Sequence, residues 1–310
     1  MHLILPHAAS QQWPTSALSG LHLPHLQRLL AQLYPQAPEH ENGDEADHPL
    51  TPAEQLQVRA LGWPADGPWP FAAAASGQAA VQASAQAWIT PCHWQVGMDT
   101  VLMHHPAGLA LSEAESRALM DSVQPWMAKD DLQLRWHDAL HWHASGPLLA
   151  SLTPASLARV SGGNIRPWLM QSRLPAALLR LQSEMQMLLY HHPVNEAREA
   201  RGLPTVNSFW LHGAGNPQAS HPGVQAPDDL SLAVHRGDLA AWRAAWQRLD
   251  AELLAPLSQR PVADVQLSLC SESAAQTWTG RPLSWRSRLQ RLWQRPEPEQ
   301  VLKTLLTPTP

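Results

Sequence analysis

The spacing of apolar residues predicts several helices along the chain. The clearest is residues 174–190, in which Leu178, Leu181 and Met185 recur at helical spacing. Ser112 and Glu115 form a capping box, which marks the start of another helix that we expect to end before Pro125. The remaining predicted helices are residues 23–33, 52–61 and 239–254.

Short apolar runs between these helices predict strands. Residues 132–143 alternate in part between polar and apolar side chains, as a half-buried hairpin does. The other predicted strands are residues 2–5, 87–96, 100–103, 209–211 and 265–269. Because strands and helices alternate, the pattern favours an α/β fold with a mainly parallel sheet flanked by helices.

Two stretches are expected to lie outside the regular elements. Residues 38–49 are acidic and bounded by prolines, which is typical of an exposed loop. Residues 296–310 are expected to form a loosely held tail. No internal repeat is visible.

Composition narrows the class of protein. Apolar residues make up 44% of the 310 residues, enough for a substantial core, and the net charge is −5 with no long Lys/Arg run. The broad basic face of a nucleic-acid binder is therefore not expected. The chain holds 17 His and 15 Trp beside two Tyr and two Phe. Trp needs a large pocket and an N–H partner, which either a polar-lined core or a ligand cleft provides.

The positions of the cysteines and the hydropathy of the chain indicate where in the cell we expect the protein. Cys92 and Cys270 are far apart, which fits neither a disulfide framework nor a zinc-ribbon spacing. No apolar stretch reaches the roughly 18 residues of a membrane helix, and the first residues lack the pattern of a secretory signal. We expect a cytoplasmic protein that binds neither membranes nor nucleic acid.

Four segments hold residue types that could carry chemistry. His212 precedes Gly213-Ala214-Gly215, which could approach a phosphate, but no Lys-Ser/Thr follows and a plain strand-end turn explains it equally well. His191 and His192 cannot both face one metal ion, and Arg198 could bind an anion or be a surface charge.

The other two segments give equally open interpretations. His141 and His143 would share one face of a strand, but without a nearby carboxylate or thiolate they make a poor metal site. His235 precedes Asp238, whose simplest role is to cap the following helix.

Taken in order, these segments resemble the archaeal-type cofactor-independent phosphoglycerate mutases of the alkaline phosphatase superfamily. The strongest stretch runs from Leu152 to Gly215, and shorter blocks around Leu23, Leu61 and His235 add to it. The pattern is also similar to the RpfE-type regulatory proteins, and we place the chain with them. The resemblance implies an alkaline-phosphatase-like domain formed by residues 1–86 and 216–295, an inserted α+β substrate-type domain of residues 87–215, and a tail of residues 296–310.

The same resemblance implies a serine nucleophile and two divalent metals held by Asp and His, and here the sequence departs from it. The nucleophile position falls near Ala53, with Thr51 two places away. The metal-ligand positions fall at Pro6 or His7, at Ser231, at His235 and near Ser271-Glu272, so that His235 alone keeps its expected type. Asp44 and Asp47, in the acidic loop, are the carboxylates that could still reach the site.

Three functions remain open at this point. The first, which we favour, is a non-catalytic regulatory or interaction protein, with no catalytic residue, metal or cofactor. The second is a sensor of a phosphorylated or carboxylated metabolite, and the third is a phosphoglycerate mutase with relocated residues. The residues expected to bind such a ligand are Arg159, Asn195, Arg198, His212 and His235.

Overall fold

A computed structural model describes residues 1–41, 48–76, 84–171, 174–280 and 296–306. The chain divides into two compact units, Met1–Gly62 with His221–Pro310, and Trp63–Ser220. The second unit is thus inserted into the first, but its borders lie outside the expected 87–215 at both ends. Within the described residues, no helix is both long and apolar enough to cross a membrane.

Each predicted strand has an observed counterpart, but the strands Tyr34–Pro35, Glu39–His40, Val224–Gln225 and Ala274–Thr279 were not predicted. The strands are β1 His2–Leu5, β2 Tyr34–Pro35, β3 Glu39–His40, β4 Gln86–Cys92, β5 Trp94–Val96, β6 Val101–Met103, β7 Gln133–Trp136, β8 Trp142–Ser145, β9 Ser208–Gly215, β10 Val224–Gln225, β11 Gln266–Cys270 and β12 Ala274–Thr279.

The five predicted helices are all present, and the structure adds shorter helices that were not predicted. The helices are α1 Pro24–Gln32, α2 Pro52–Leu61, α3 Phe71–Ser76, α4 Glu113–Met127, α5 Leu157–Val160, α6 Arg166–Gln171, α7 Ala176–Tyr190, α8 Pro193–Ala200, α9 Asp229–His235, α10 Leu239–Leu249, α11 Ala255–Leu257 and α12 Pro298–Thr304. A π-helical turn, Asp250–Leu254, joins α10 to α11.

The first unit is a mixed sheet with helices on both faces. Its strand order is β10-β1-β11-β12-β2, with β3 also paired to β12. Strand β1 is parallel to β10 and β11, whereas β12 is antiparallel to its neighbours. Leu3 and Leu5 pack into one apolar cluster with α1 and α10, and Ile4 packs into another with α2. The continuous apolar run of β1 is therefore explained by burial on both faces.

The second unit contains an antiparallel sheet of order β7-β8-β4-β9 and a separate hairpin of β5 and β6. One side of the sheet packs against α4 and α7 through a cluster that includes Ile89, Leu119 and Leu181. The expectation of a mainly parallel sheet is therefore right only for the centre of the first unit. A mixed α/β fold is confirmed, and the alkaline-phosphatase-like arrangement stays a prediction.

Two local predictions are wrong for physical reasons. Helix α4 continues past Pro125 to Met127, and Pro125 and Asp121 both lie on its exposed side. Proline removes one helical hydrogen bond, but water can satisfy the carbonyl it frees there. The expected loose tail holds α12, whose Leu302 is fully buried in the core of the first unit.

Candidate functional site

Three of the expected metal-ligand positions of the first unit lie together at one edge of its sheet. Strands β1 and β11 run parallel, so their carboxyl ends lie side by side, and His7 follows β1. The Nδ1 atom of His7 lies 2.9 Å from the Oγ of Ser231 on α9. The ring of His235 meets the His7 ring edge-on, with 5.0 Å between their centroids. The resemblance to the mutases implied that these three positions belong to one site.

The backbone that holds His7 is tightly constrained. His7 has a φ of 52°, in the left-handed region that a histidine seldom occupies. The indole N–H of Trp242 donates to the His7 carbonyl at 2.9 Å, and that of Trp246 donates to the Ala8 carbonyl at 3.1 Å. Ala8 in turn donates to the carbonyl of Cys270 at 2.7 Å, which ties the turn to the end of β11.

These contacts also give two of the tryptophans a structural role. Trp242 and Trp246 are fully buried, and each satisfies its N–H on the turn after β1. The polar-lined core is therefore the correct interpretation for this pair.

The position expected for the nucleophile carries no available hydroxyl. Ala53 lies in the first turn of α2 and is buried against Ile4 and Cys270. Thr51 caps the same helix. Its hydroxyl donates to Glu54 at 2.9 Å, and it accepts from the Glu54 N–H. The Thr51 hydroxyl is therefore used by the capping box both as a donor and as an acceptor.

The side chains of the last expected ligand pair, Ser271 and Glu272, are also used in hydrogen bonds within the protein. Ser271 donates to the carbonyl of Leu305 at 2.9 Å. Glu272 accepts from the hydroxyl of Ser10 and from the backbone N–H of Gln11, so its carboxylate organises the segment after β1.

The side chains at this edge do not fit a pair of divalent cations. The cluster of His7, Ser231 and His235 supplies no carboxylate, and the carboxylate of Glu272 is bonded to Ser10 and Gln11. Hard divalent cations require oxygen anions to bind strongly. Among the described residues, no three His, Cys, Asp or Glu side chains are grouped so that they could hold a metal ion. Asp44 and Asp47 lie outside the described residues. Burial, together with the neighbouring His7, lowers the pKa of His235 to about 4.

The predicted ligand-binding residues Asn195 and Arg198 use their polar groups inside the second unit. The Asn195 amide donates to the carbonyls of Leu189 and Val206, each at 2.7 Å, and accepts from the Val206 N–H at 2.8 Å. These bonds join α7, α8 and the segment before β9.

Arg198 is fully buried and plays a similar role. It donates to the carbonyls of Pro204 and Leu109 and to the carboxylate of Glu115, the last at 3.1 Å. Such a network explains the presence of a buried guanidinium without a ligand.

The other two predicted residues of the second unit lie elsewhere in it. His212 is in β9, with its Nε2 atom 3.1 Å from the hydroxyl of Thr90, and burial with the charge of His141 lowers its pKa to about 3. Arg159 lies in α5, a short helix capped by Ser156. His235 belongs to the first unit. A site formed by all five residues stays a prediction.

The glycines after His212 have a packing explanation. Strand β9 continues through them to Gly215, so they do not form the expected turn. Gly213 has a φ of +61°, and a Cβ placed there would lie 3.2 Å from the Cβ of Phe71. The bare backbone thus admits α3 rather than a phosphate.

Sequence inspection missed a group of histidines around Trp88. The Trp88 ring contacts the rings of His137, His141 and His143, with centroids 5.0, 5.6 and 5.3 Å away. Trp88 is the register partner of both His143 and His212, so these side chains share one face of the sheet. The spacing of His141 and His143 was a signal for this group in the sequence. The strand order, which places Trp88 between the histidines, could not be inferred from the sequence.

Comparison with known proteins assigns no family. No protein-family model matches the chain, and no curated protein does. The solved structures that are similar to it include the following two. The PH0037 protein from Pyrococcus horikoshii is 13% identical, with a TM-score of 0.49 over 93% of this chain and 91% of that one. A cofactor-independent phosphoglycerate mutase from Thermoplasma acidophilum is 11% identical, with a TM-score of 0.37 over 99% of each chain. Neither similarity assigns a site or an activity to this protein.

Proposed function

We propose that this protein is a non-catalytic regulatory or interaction protein of the RpfE type, built on a phosphoglycerate mutase-like scaffold that no longer transfers phosphoryl groups. One observation carries the proposal. The positions of His7, Ser231 and His235 come together at the sheet edge, but the side chains there are those of a hydrogen-bonded cluster rather than a metal centre.

The size of the expected loss in reaction rate supports a role other than catalysis. Removing one member of a catalytic unit costs roughly 10⁴ to 10⁶ in rate. Here the nucleophile position is Ala53, and the nearby hydroxyl of Thr51 is used by a helix cap. Phosphoryl transfer also needs cations to neutralise the transferring group, and the clustered side chains supply no anion to bind them.

The alternative of a metabolite sensor draws less support. Two of its expected residues, Asn195 and Arg198, donate to backbone carbonyls and to Glu115. A ligand would have to displace these bonds, at a cost of about 1–3 kcal/mol for each buried group left unpaired.

A mutase and phosphatase assay tests the proposal. The purified full-length protein is incubated with manganese and 3-phosphoglycerate, with and without chelator, beside an active cofactor-independent mutase as the positive control. We expect no turnover in either condition, and none from Ala53→Ser, because a restored hydroxyl would still lack metals. Turnover abolished by chelation, or two tightly bound divalent ions per chain by elemental analysis, would overturn it.

A further inference from the structure

The proposed loss of phosphoryl transfer leaves one hydroxyl at the sheet edge in contact with a possible base. A serine hydroxyl is a weak nucleophile unless a neighbouring group accepts its proton. The Ser231 Oγ atom lies 2.9 Å from Nδ1 of His7, within the distance over which a proton can transfer. Both residues keep part of their surface exposed to solvent.

The geometry around His7 is that of a prepared group rather than a chance surface contact. The left-handed turn at His7 is held by Trp242 on its own carbonyl and by Trp246 on the next one. Backbone conformations of this kind cost of order 1–3 kcal/mol and persist where surrounding contacts enforce them, often at functional sites. The His235 ring packs edge-on against the His7 ring.

The location has a second property in common with ligand sites. In sheets with parallel strands, ligands bind beyond the carboxyl ends of the strands. His7 follows β1 at that edge, and Cys270, which accepts from Ala8, ends the adjacent parallel strand β11.

We propose that Ser231 is a covalent modification site that accepts an acyl group from an activated carboxylic ester or thioester, with His7 as its general base. The Ser231 oxygen bonds to the acyl carbon while the bond from that carbon to the donor's leaving oxygen or sulfur breaks. The hydroxyl proton passes to Nδ1 of His7 and then to the leaving group. No metal, oxidant or reductant takes part, and the product is an acyl-serine ester.

The chain contains a matched control in its second unit. The Oγ atom of Ser122 lies 2.9 Å from Nε2 of His192, the same separation as in the proposed pair. However, Nδ1 of His192 accepts the N–H of Val194, which leaves the proton of a neutral imidazole on Nε2. Ser122 also donates to the carbonyl of Ala118 at 3.0 Å. His192 therefore donates to Ser122 and cannot act as its base.

Acetylation by p-nitrophenyl acetate tests the proposal. The intact protein is treated in the presence of a chelator, release of p-nitrophenolate is followed, and the modified residue is located by peptide mass spectrometry. We expect one acetyl group per chain on Ser231, none with Ser231→Ala, and an unchanged rate with Ser122→Ala. His7→Asn should slow acetylation at least tenfold, because Asn tolerates the left-handed turn but is not a base.

Each outcome decides the proposal. Acetylation on Ser122 or on a histidine, or equal rates for the native protein and His7→Asn at matched melting temperature, would overturn it. The test is independent of the mutase assay, because it is run without metal and follows an acyl group rather than phosphate. Metal-dependent turnover would therefore defeat the proposed function while leaving the acetylation of Ser231 to be judged on its own result.

Discussion

At the scale of single residues, Glu115 shows how one carboxylate can serve several elements. It closes the capping box of α4 with Ser112, and it pairs with the buried Arg198 and the exposed Arg201. Burial alone raises the pKa of Glu115. The hydrogen bonds from Ser112 and Arg201 and the charge of Arg198 outweigh that effect and lower the pKa to about 2. The capping role was predicted from the sequence, but the two arginine partners, 83 and 86 residues away, were not.

This lowered pKa predicts a pH dependence of stability. A carboxylate with a pKa of about 4.3 in the unfolded chain and a lower one in the folded protein stabilises the fold above the unfolded-state value. That contribution should be lost as the pH falls from about 4.3 toward 2. We therefore expect Glu115→Gln to destabilise the protein near neutral pH, with the deficit shrinking at acidic pH. Urea denaturation at several pH values measures the difference.

The neighbouring Glu113 provides the comparison. It lies on the same first turn of α4 and pairs with Arg117, four residues on, at an exposed position. Glu113→Gln should change stability by less than about 0.5 kcal/mol at any pH. A deficit for Glu115→Gln that stays constant from neutral pH to pH 2 would contradict the assigned role of the arginine pairs.

At the scale of elements, helix α1 begins without a side-chain cap of its own. Asp250, in the π-helical turn after α10, accepts instead from the backbone N–H groups of His25 at 3.2 Å and Leu26 at 2.8 Å. Asp250 is 3% exposed, so water cannot readily replace it. The turn after α10 thus places a buried carboxylate at the start of another helix, where the helix dipole favours negative charge.

Removing this remote cap should be costly. Asp250→Ala leaves two buried or half-buried N–H groups unpaired, which we expect to reduce the free energy of unfolding by about 2–4 kcal/mol. Asp250→Asn keeps one acceptor oxygen and should lose less. Asp238→Ala removes the exposed cap of α10, which bonds the N–H of Ala241 at 2.8 Å, and should cost about 1 kcal/mol. Chemical denaturation ranks the three variants, and equal losses for Asp250→Ala and Asp238→Ala would argue against the buried cap.

The contrast between these two caps shows what the sequence could reveal. Local signals worked wherever one short segment held the whole interaction, as for α2, whose predicted bounds 52–61 match the structure and whose cap is Thr51. Asp238 was also identified as a cap from its position. Asp250 was not, because its partners lie more than 200 residues away.

The same distinction between local and distant contacts applies to the candidate site. The alignment implied by the resemblance correctly brought together His7, Ser231 and His235. It could not show that Arg198 and Asn195 are satisfied by backbone carbonyls, since those carbonyls belong to separate segments, one of them 89 residues from Arg198. For the same reason the helix of the C-terminal segment was missed. Its Leu302 is buried in a core formed by distant residues, which local polarity does not reveal.

At the scale of the whole molecule, each compact unit has its own sheet and its own apolar clusters. The clusters around Leu3 and Ile4 belong to the first unit, and those around Ile89 and Trp210 belong to the second. The second unit also begins and ends at neighbouring points, because the indole N–H of Trp63 donates to the hydroxyl of Ser220 at 3.2 Å. An inserted segment whose ends meet and whose core is internal satisfies the usual conditions for independent folding.

We therefore expect a fragment of residues 63–220 to fold alone and to unfold cooperatively on heating, as followed by circular dichroism. A shorter fragment of residues 87–215, the domain expected from the sequence, is the matched comparison. It lacks α3, which packs against Gly213, and the contact between the rings of Trp63 and Phe71, whose centroids lie 5.2 Å apart. Exposing that side of β9 should lower the melting temperature or abolish the transition. If both fragments had the same melting temperature, α3 would not be part of the folding unit, and the border after Gly62 would not mark where that unit begins.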